Sequence, residues 1–478
     1  MAVPANPNDL CFMSAREMAS LLRSRQLSAR EVMAAHLEQI ARLNPKLNAI
    51  VAKLEDDRCL ALADAADRRL AQGEEVGPLH GLPIAFKDLE SAVGFPCTLG
   101  SPIFRDFFPT EDTVLVERLR KAGVLPIGKT NVPEFGMGSH TYNRVYGTTF
   151  NPYDVTKSAG GSSGGAGAAL AAGMLPIADG SDLGGSLRNP ANFNNIVALR
   201  PTVGLVPLAP TPLPFVGFAT KGPMARSVSD AAFLLSVMAG ADPRDPGCSP
   251  SDPAVFAGPL ERDFKGVRVA WCPDLGGLPL DSRVRAVLET HRATFESLGC
   301  IVEEAGPDLR AADKVFLDIR LWMTAHRRGP LLASHRDQMK PEAVWEIEAG
   351  ARLSGADIAA AMALHGEILE QVRRFQEKYE FLLCAVNQVP PFDAQIDWPK
   401  EIAGVGMEHY VAWMKSAYWI SVTFCPALSV PAGFTPEGLP VGLQIVGRRR
   451  DDLGVLQIAH AFEQATGFGR RRPALALD

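Results

Sequence analysis

The chain has 478 residues and a formal net charge of −6, with 47% hydrophobic and 21% charged residues. This composition is typical of a soluble globular protein that is long enough to bury a large core. A nucleic-acid-binding protein is disfavoured, because the two arginine clusters, 448–450 and 470–472, are short. A membrane protein is not expected either, since no run of about 18 apolar residues is present.

The cysteines indicate a reducing compartment. All eight are scattered without a Cys-x-x-Cys pair, which favours reduced, mostly buried thiols over a disulfide frame or a zinc site. The opening residues have neither the basic nor the apolar region of a signal peptide. We therefore expect a cytoplasmic protein that uses no metal and no organic cofactor.

Helices are predicted for the N-terminal residues 1–72. Two serines each precede a glutamate by three positions, which is the capping-box spacing, and apolar residues follow at helical period. A third helical segment ends at a glycine, a common helix terminator. These signals are Ser14 with Glu17, Ser28 with Glu31 in a helix that ends near Asn44-Pro45, and residues 60–72 closed by Gly73.

Beyond residue 77, short apolar strands alternate with helices. This alternation indicates an α/β fold. Lys87 stands at the end of the first of these strands. The predicted strands are 82–86, 124–127, 175–178, 267–272, 301–304 and 381–386, and two predicted helices are 113–122 and 166–173.

Two glycine-rich turns, residues 160–165 and 179–188, each present serines on either side of a short helix of small residues. Glycine lets the backbone adopt angles that other residues resist and lets a ligand approach closely. Serine becomes a nucleophile when a neighbouring base activates it. The paired turns therefore suggest acyl transfer.

Residues 123–130, GVLPIGKT, match the Walker A pattern of phosphate-binding loops. A phosphate loop lies between a strand and a following helix. Here a charged helix precedes the segment, and Pro126 interrupts a stretch that is predicted to be an apolar strand. Nucleotide binding is the less favoured interpretation.

Residues 160–164 also match the Gly-x-Ser-x-Gly nucleophile elbow of Ser-His-Asp hydrolases. That elbow follows a buried strand, whereas residues 151–157 are polar and are predicted to be a loop. The elbow also needs a late histidine, for which His409 and His460 are the candidates. His460 has the spacing of a helix-face residue, so this alternative is disfavoured but open.

A third interpretation makes Lys87 the base. A lysine that is partly removed from water has a lowered pKa and can act as a neutral base. The ordinary interpretation of Lys87 alone is a surface lysine at a strand end.

Five segments, taken together and in order, resemble the amidase signature family. The resemblance covers roughly residues 77–208 and 423–465. It implies a single amidase domain over 1–478, with 77–208 as its signature core and an α/β fold in which helices cover both faces of a central, mostly mixed sheet. The segments are 77–88, 128–135, 160–165, 182–190 and 426–447.

The resemblance also implies roles for individual residues. Ser186 aligns with the nucleophile, Ser162 with a bridging serine that follows a cis peptide bond, and Lys87 with the terminal base. The remaining implied residues are the backbone N–H groups of Leu183, Gly184, Gly185 and Ser186 as an oxyanion hole, and Ser163, Ser181, Asp182 and Arg188 as supporting groups.

Residues 310–420 match nothing in the family and are rich in predicted helix, so we expect them to line a variable substrate pocket. Their tryptophans suggest an apolar or aromatic pocket, although the same residues could belong to the core. Basic residues show no clustering here that would indicate an acidic substrate. The candidate substrate-binding residues are Phe135, Met137, His140 and Trp322.

The function implied is hydrolysis of a carboxylic amide, with an apolar or aryl portion, to an acid and ammonia or an amine through an acyl-serine intermediate. The same residues could cleave esters or carbamates. One alternative is the amidase component of a tRNA-dependent amidotransferase, and another is a non-catalytic scaffold. The expected partner is a small amide, and a homodimer remains open.

Overall fold

The computed structural model describes residues 7–477, and helices account for much of that length. The helices are α1 Pro7–Cys11, α2 Ala15–Arg23, α3 Ala29–Leu47, α4 Asp56–Ala71, α5 Val114–Lys121, α6 Gly164–Ala171, α7 Arg188–Phe193, α8 Val228–Met238, α9 Ser282–Glu289, α10 Arg292–Ser297, α11 Ala312–His335, α12 Pro341–Ala351, α13 Gly355–Lys378, α14 Lys415–Val422 and α15 Asp452–Thr466. The segment 310–420 is therefore rich in helix, as predicted.

The strands occur mainly between these helices. They are β1 Ile50–Val51, β2 Pro83–Lys87, β3 Leu125–Thr130, β4 Tyr142–Asn143, β5 Gly147–Thr148, β6 Phe150–Asn151, β7 Asp154–Ser158, β8 Ile177–Asp182, β9 Val197–Arg200, β10 Thr220–Ala225, β11 Arg268–Trp271, β12 Ile301–Glu304, β13 Phe381–Ala385, β14 Glu401–Ile402, β15 Val405–Gly406, β16 Ala427–Phe434 and β17 Pro440–Val446. All six predicted strands are present, with ends shifted by a few residues.

The central sheet has eight strands in the order β12-β11-β13-β17-β16-β9-β10-β8. Strand β11 pairs in parallel with β12 and β13, and the other neighbouring pairs are antiparallel. Helices α7, α8 and α15 pack against it. The predicted α/β fold with a central mixed sheet surrounded by helices is confirmed.

A second, smaller sheet has the order β1-β3-β2 and carries Lys87 at the end of β2. No backbone pairing joins it to the large sheet within the described residues. Instead, the Asp179 carboxylate on β8 accepts the Lys87 backbone N–H at 3.2 and 3.3 Å. A side chain therefore bridges the two sheets beside Lys87.

The apolar side chains form two clusters. The first contains the N-terminal helices, α6, α8 and one face of the large sheet, with residues such as Met18, Phe86 and Leu428. The second is built mainly by α11–α14 and includes Phe316 and Trp413. The segment 310–420 thus has its own packing centre beside the sheet.

Three local predictions are wrong in detail. Helix α3 passes through Pro45 to Leu47, because Asn48 caps it in the left-handed region and donates its N–H to the Asn44 carbonyl. The polar stretch 151–157, predicted to be a loop, lies in the antiparallel pair β6–β7. Ser14 donates its hydroxyl to Asp230 rather than sharing a complete box with Glu17, whereas the box of Ser28 is complete.

All eight cysteines are free thiols, six of them buried, as the sequence predicts. Within residues 7–477, no helix is long and apolar enough to cross a membrane. The same part of the chain has no group of three or more His, Cys, Asp or Glu side chains placed to hold a metal ion.

Candidate active site

Lys87 lies at the junction of the two sheets and is fully buried. Its Nζ is 2.9 Å from the Ser162 Oγ, 2.7 Å from the Ser163 Oγ and 3.0 Å from the Ser181 Oγ. It also donates to the Ser181 carbonyl at 3.2 Å. Among the described side chains, no carboxylate oxygen forms an ion pair with this Nζ, so serine oxygens surround it.

The absence of a directly paired carboxylate has an electrostatic consequence. Burial disfavours the ammonium form and lowers the pKa of Lys87 from 10.5 to about 7, although the charges of Asp179, Glu90 and Asp182 oppose this. Burial, followed by the charge of Glu90, raises the pKa of Asp179 to about 7. Near neutral pH, Lys87 is therefore divided between its neutral and charged forms.

The loop before α6 places Ser162 and Ser163 over this amine. The peptide bond between Gly161 and Ser162 is cis. Gly136 has φ +71° and faces Ser162, and a Cβ there would lie 2.7 Å from the Leu89 side chain and 3.5 Å from the Ser162 Oγ. Only glycine allows that close approach without strain.

Ser186 lies in the turn between β8 and α7, which packs against the Ser162 loop. The Ser163 N–H donates to the Ser186 carbonyl at 3.2 Å. Gly185 has φ +120°, and a Cβ there would lie 2.5 Å from the Asn189 Nδ2. Ser162 and Ser186 line the same cavity, but among the described contacts no hydrogen bond joins their hydroxyls.

The predicted oxyanion hole needs one correction. The Gly185 N–H already donates to the Asp182 Oδ1 at 2.7 Å, so it cannot also serve a substrate oxygen. The backbone N–H groups of Leu183, Gly184 and Ser186 have no acceptor in the described part of the chain. These three remain the candidates.

Asp182 organises the turn that carries Ser186. Its carboxylate accepts the Arg188 Nε and NH2 donors at 3.0 Å each and the Arg200 NH1 donor at 3.2 Å. All three side chains are fully buried. Although burial opposes ionisation, the two guanidinium groups hold the pKa of Asp182 well below its usual range.

This buried ion pair predicts a stability effect. Replacing Arg188 with alanine leaves the Asp182 charge without its bidentate partner, which costs about 3–5 kcal/mol of unfolding free energy. Arg373→Ala, at an exposed ion pair with Glu370, is the matched control and should cost at most about 1 kcal/mol. Denaturant unfolding measures both, and equal losses would contradict the assigned role of Asp182.

The cavity beside the serines has a volume of about 210 Å³. Phe135 and Met137, two predicted pocket residues, line it together with Leu89, Leu183 and Met323. Two other clefts, of about 420 and 590 Å³, contain none of the candidate catalytic residues. The cavity at Ser186 is therefore the candidate substrate pocket.

His140 and Trp322, the other two predicted pocket residues, do not line this cavity. His140 is buried elsewhere, where it accepts the Ser158 hydroxyl at 2.7 Å and donates to the Ala394 carbonyl at 3.1 Å. Burial lowers its pKa to about 4. Trp322 is half-buried and packs against the second apolar cluster, so both residues have packing environments.

The other tryptophans of the helical segment do not form an aromatic pocket either. Trp413 stacks on Phe193 in the core, and the Trp419 indole N–H donates to Asp313. Trp345 is partly exposed and stacks on His409. Core packing accounts for the two buried indole rings.

Arginines occupy the cavity wall instead. Arg320, Arg327 and Arg328 on α11 line it, which corrects the prediction that basic residues are not clustered in this segment. Sequence inspection also missed Asp179, although it lies within the second glycine-rich turn. The two arginines at 327–328 were visible as a basic pair, but only the packing of α11 directs them to the cavity.

Known proteins share this sequence and fold. The Amidase family profile matches residues 31–456. An acylamidase of Rhodococcus erythropolis is 37% identical over 486 residues, covering 98% of each chain. The amidase component (GatA-type chain) of the glutamyl-tRNA(Gln) amidotransferase of Carboxydothermus hydrogenoformans is 33% identical, covering 98% of this chain and 100% of its own.

A solved structure agrees with these relatives. A bacterial aryl acylamidase of the amidase signature family superposes with a TM-score of 0.88 at 29% identity, covering 96% of this chain and 98% of the other. The match therefore includes the sheets, the two serine turns and the helical segment. This protein belongs to the Amidase family of amidase signature enzymes, and it is a hydrolase that acts on amide C–N bonds.

Proposed function

We propose that the protein hydrolyses N-acyl amides, with an aryl group on the amine side, to a carboxylic acid and an amine. The contacts of Lys87 carry this proposal, because a fully buried lysine surrounded by serine oxygens is suited to remove a hydroxyl proton. The acylamidase relative and the aryl acylamidase structure support the substrate class.

In the first step, neutral Lys87 takes the proton of the Ser162 hydroxyl. Ser162 in turn takes the proton of Ser186, whose Oγ attacks the amide carbonyl carbon. This transfer requires a side-chain rotation that brings the two hydroxyls within hydrogen-bonding distance. The carbonyl oxygen gains the negative charge, and the N–H groups of Leu183, Gly184 and Ser186 are the proposed donors to it.

In the second step, the tetrahedral intermediate collapses and the C–N bond breaks. The proton held by Lys87 returns through Ser162 to the leaving nitrogen, which departs as an amine. A water molecule then repeats the sequence on the acyl-Ser186 ester and releases the carboxylic acid. Ser163 and Ser181 orient the Lys87 amine in both steps.

An alternative is that the chain serves as the amidase component of a tRNA-dependent amidotransferase. The 33% identity to such a component favours this alternative, and it would require a partner protein. Esters and carbamates could undergo the same acyl transfer. The eight free thiols support a reducing compartment, and we propose that this is the cytoplasm.

The purified single chain is expected to release aniline from acetanilide faster than ammonia from acetamide or malonamate, because the larger amide buries more apolar surface against Phe135 and Met137. Amine release, followed as kcat/KM for each substrate, measures this. Activity on glutamine that appears only with a co-purified partner protein would instead favour the amidotransferase.

A further inference from the structure

Helix α11 brings three arginines to the wall of the cavity that contains Ser186, but one of them is already neutralised. The Arg320 Nε donates to the Glu346 carboxylate at 2.6 Å, and its NH2 donates to the Tyr410 hydroxyl at 2.9 Å. Arg320 is therefore part of a buried polar network and has little charge to offer a ligand.

Arg327 and Arg328 lack such a partner. Within the described residues, neither has a carboxylate oxygen within ion-pair distance, although most arginines near the surface of this protein do. Arg327 is exposed, and its one hydrogen bond is a 3.4 Å contact to the Thr211 hydroxyl. Arg328 is half-buried.

Aromatic rings hold the Arg328 side chain in place. Its guanidinium carbon lies 4.7 Å from the centre of the Phe135 ring and 5.9 Å from that of Phe104. Such stacking leaves the edge N–H donors of a guanidinium free for a planar anion. Phe135 itself is the residue next to Gly136, which packs against Ser162.

The rest of the cavity wall does not balance this charge. Among the described lining residues, Asp182 is the one acid, and Arg188, Arg200 and backbone N–H groups already satisfy its carboxylate. The other neighbours are apolar side chains and hydroxyls. The pocket therefore has uncompensated positive charge next to the reacting serines.

We propose that Arg327 and Arg328 form an anion-binding subsite that selects amides bearing a carboxylate beyond the scissile bond. This inference rests on the proposed amide hydrolysis and specifies its substrate class. An aryl group of the substrate packs against Phe135, and the carboxylate accepts hydrogen bonds from the two guanidinium groups.

Two matched substrate pairs test the subsite. On the amine side, para-acetamidobenzoate is compared with para-acetamidoacetophenone, in which a methyl ketone replaces the carboxylate. On the acyl side, succinanilate is compared with its methyl ketone analogue. Released aromatic amine gives kcat/KM for each compound with the purified full chain.

At least one carboxylate is expected to exceed its neutral counterpart by about 10-fold, mainly through a lower KM, because a charge-assisted hydrogen bond supplies that difference. The ratio should fall to about one in Arg327→Gln/Arg328→Gln and should decline with added salt. Arg310→Gln, which removes the same charge at an exposed position paired with Asp308, should keep the ratio.

Neutral amides that are cleaved without any preference for a carboxylate would overturn the subsite alone, as would a preference that survives in the double variant. Failure to cleave any of the four compounds would overturn the hydrolase proposal and the subsite with it. If the double variant does not fold, Arg327→Gln alone, at the exposed position, must lower the ratio by at least about threefold.

Discussion

Replacing Ser186 with alanine is expected to lower amide hydrolysis by at least about 10⁴-fold while leaving the fold intact. The turn that carries Ser186 is held by the Asp182 network, which does not use the Ser186 hydroxyl. Ser162, the other hydroxyl of the cavity wall close to this turn, contacts Lys87. Loss of the Ser186 Oγ therefore removes the nucleophile without a substitute.

Amine release and circular dichroism of Ser186→Ala measure the two parts of this expectation. A serine-directed phosphonate should label the native chain at Ser186, as located by peptide mass spectrometry, and should not label the variant. Ser297→Ala, on an exposed helix, is the matched control and should keep full activity. Labelling at Ser163, or a variant that retains turnover, would contradict the assignment.

Replacing Lys87 with methionine is expected to lower kcat by about 10²–10⁴-fold, the contribution of a positioned general base. In the native protein, kcat/KM should rise as the pH increases through about 7, because the neutral amine is the reactive form and burial lowers its pKa to that value. The variant should lose this rise together with its activity.

The same shift affects stability. The unfolded chain binds a proton on Lys87 up to a pH near 10.5, whereas the folded chain releases it near 7. The contribution of this residue to the unfolding free energy should therefore increase from pH 7 upward and be lost as the pH falls. The methionine variant should not show this component in denaturant titrations.

Lys129→Met is the matched control for Lys87→Met. Lys129 is also fully buried at the end of a strand of the small sheet, but it donates to the Glu90 carbonyl and not to the serines. The control is expected to lower stability while keeping the pH midpoint near 7. An unchanged pH profile in Lys87→Met, or loss of the profile in a His409 or His460 variant, would favour a histidine base instead.

The sequence predicts the α/β architecture well because its strands and helices are encoded by local periodicity. The strand that ends at Lys87 and the glycine turns around Ser162 and Ser186 can be located from residue type and order alone. The pairing of the strands is different, because non-local contacts determine it. Nothing near Lys87 in the sequence indicates that β2 belongs to a separate three-stranded sheet.

The pocket could be predicted least well. Four candidate lining residues came from their closeness in sequence to the motifs or from their size, but His140 turns toward Ser158 and Trp322 toward the second apolar cluster. Large aromatic residues have a general tendency to fill cores, so their presence alone does not define a pocket. The arginines at 327–328 reach the cavity only because α11 crosses beside it.

The division of the strands into two sheets makes catalytic alignment a mechanical property of their junction. The base belongs to the small sheet, whereas the Ser186 turn extends from the large one, and Asp179 connects them through hydrogen bonds from a side chain. A slip of about 1 Å at such a junction costs roughly 100-fold in rate. Mild heating or low denaturant could thus silence the enzyme while both sheets and their helices stay folded.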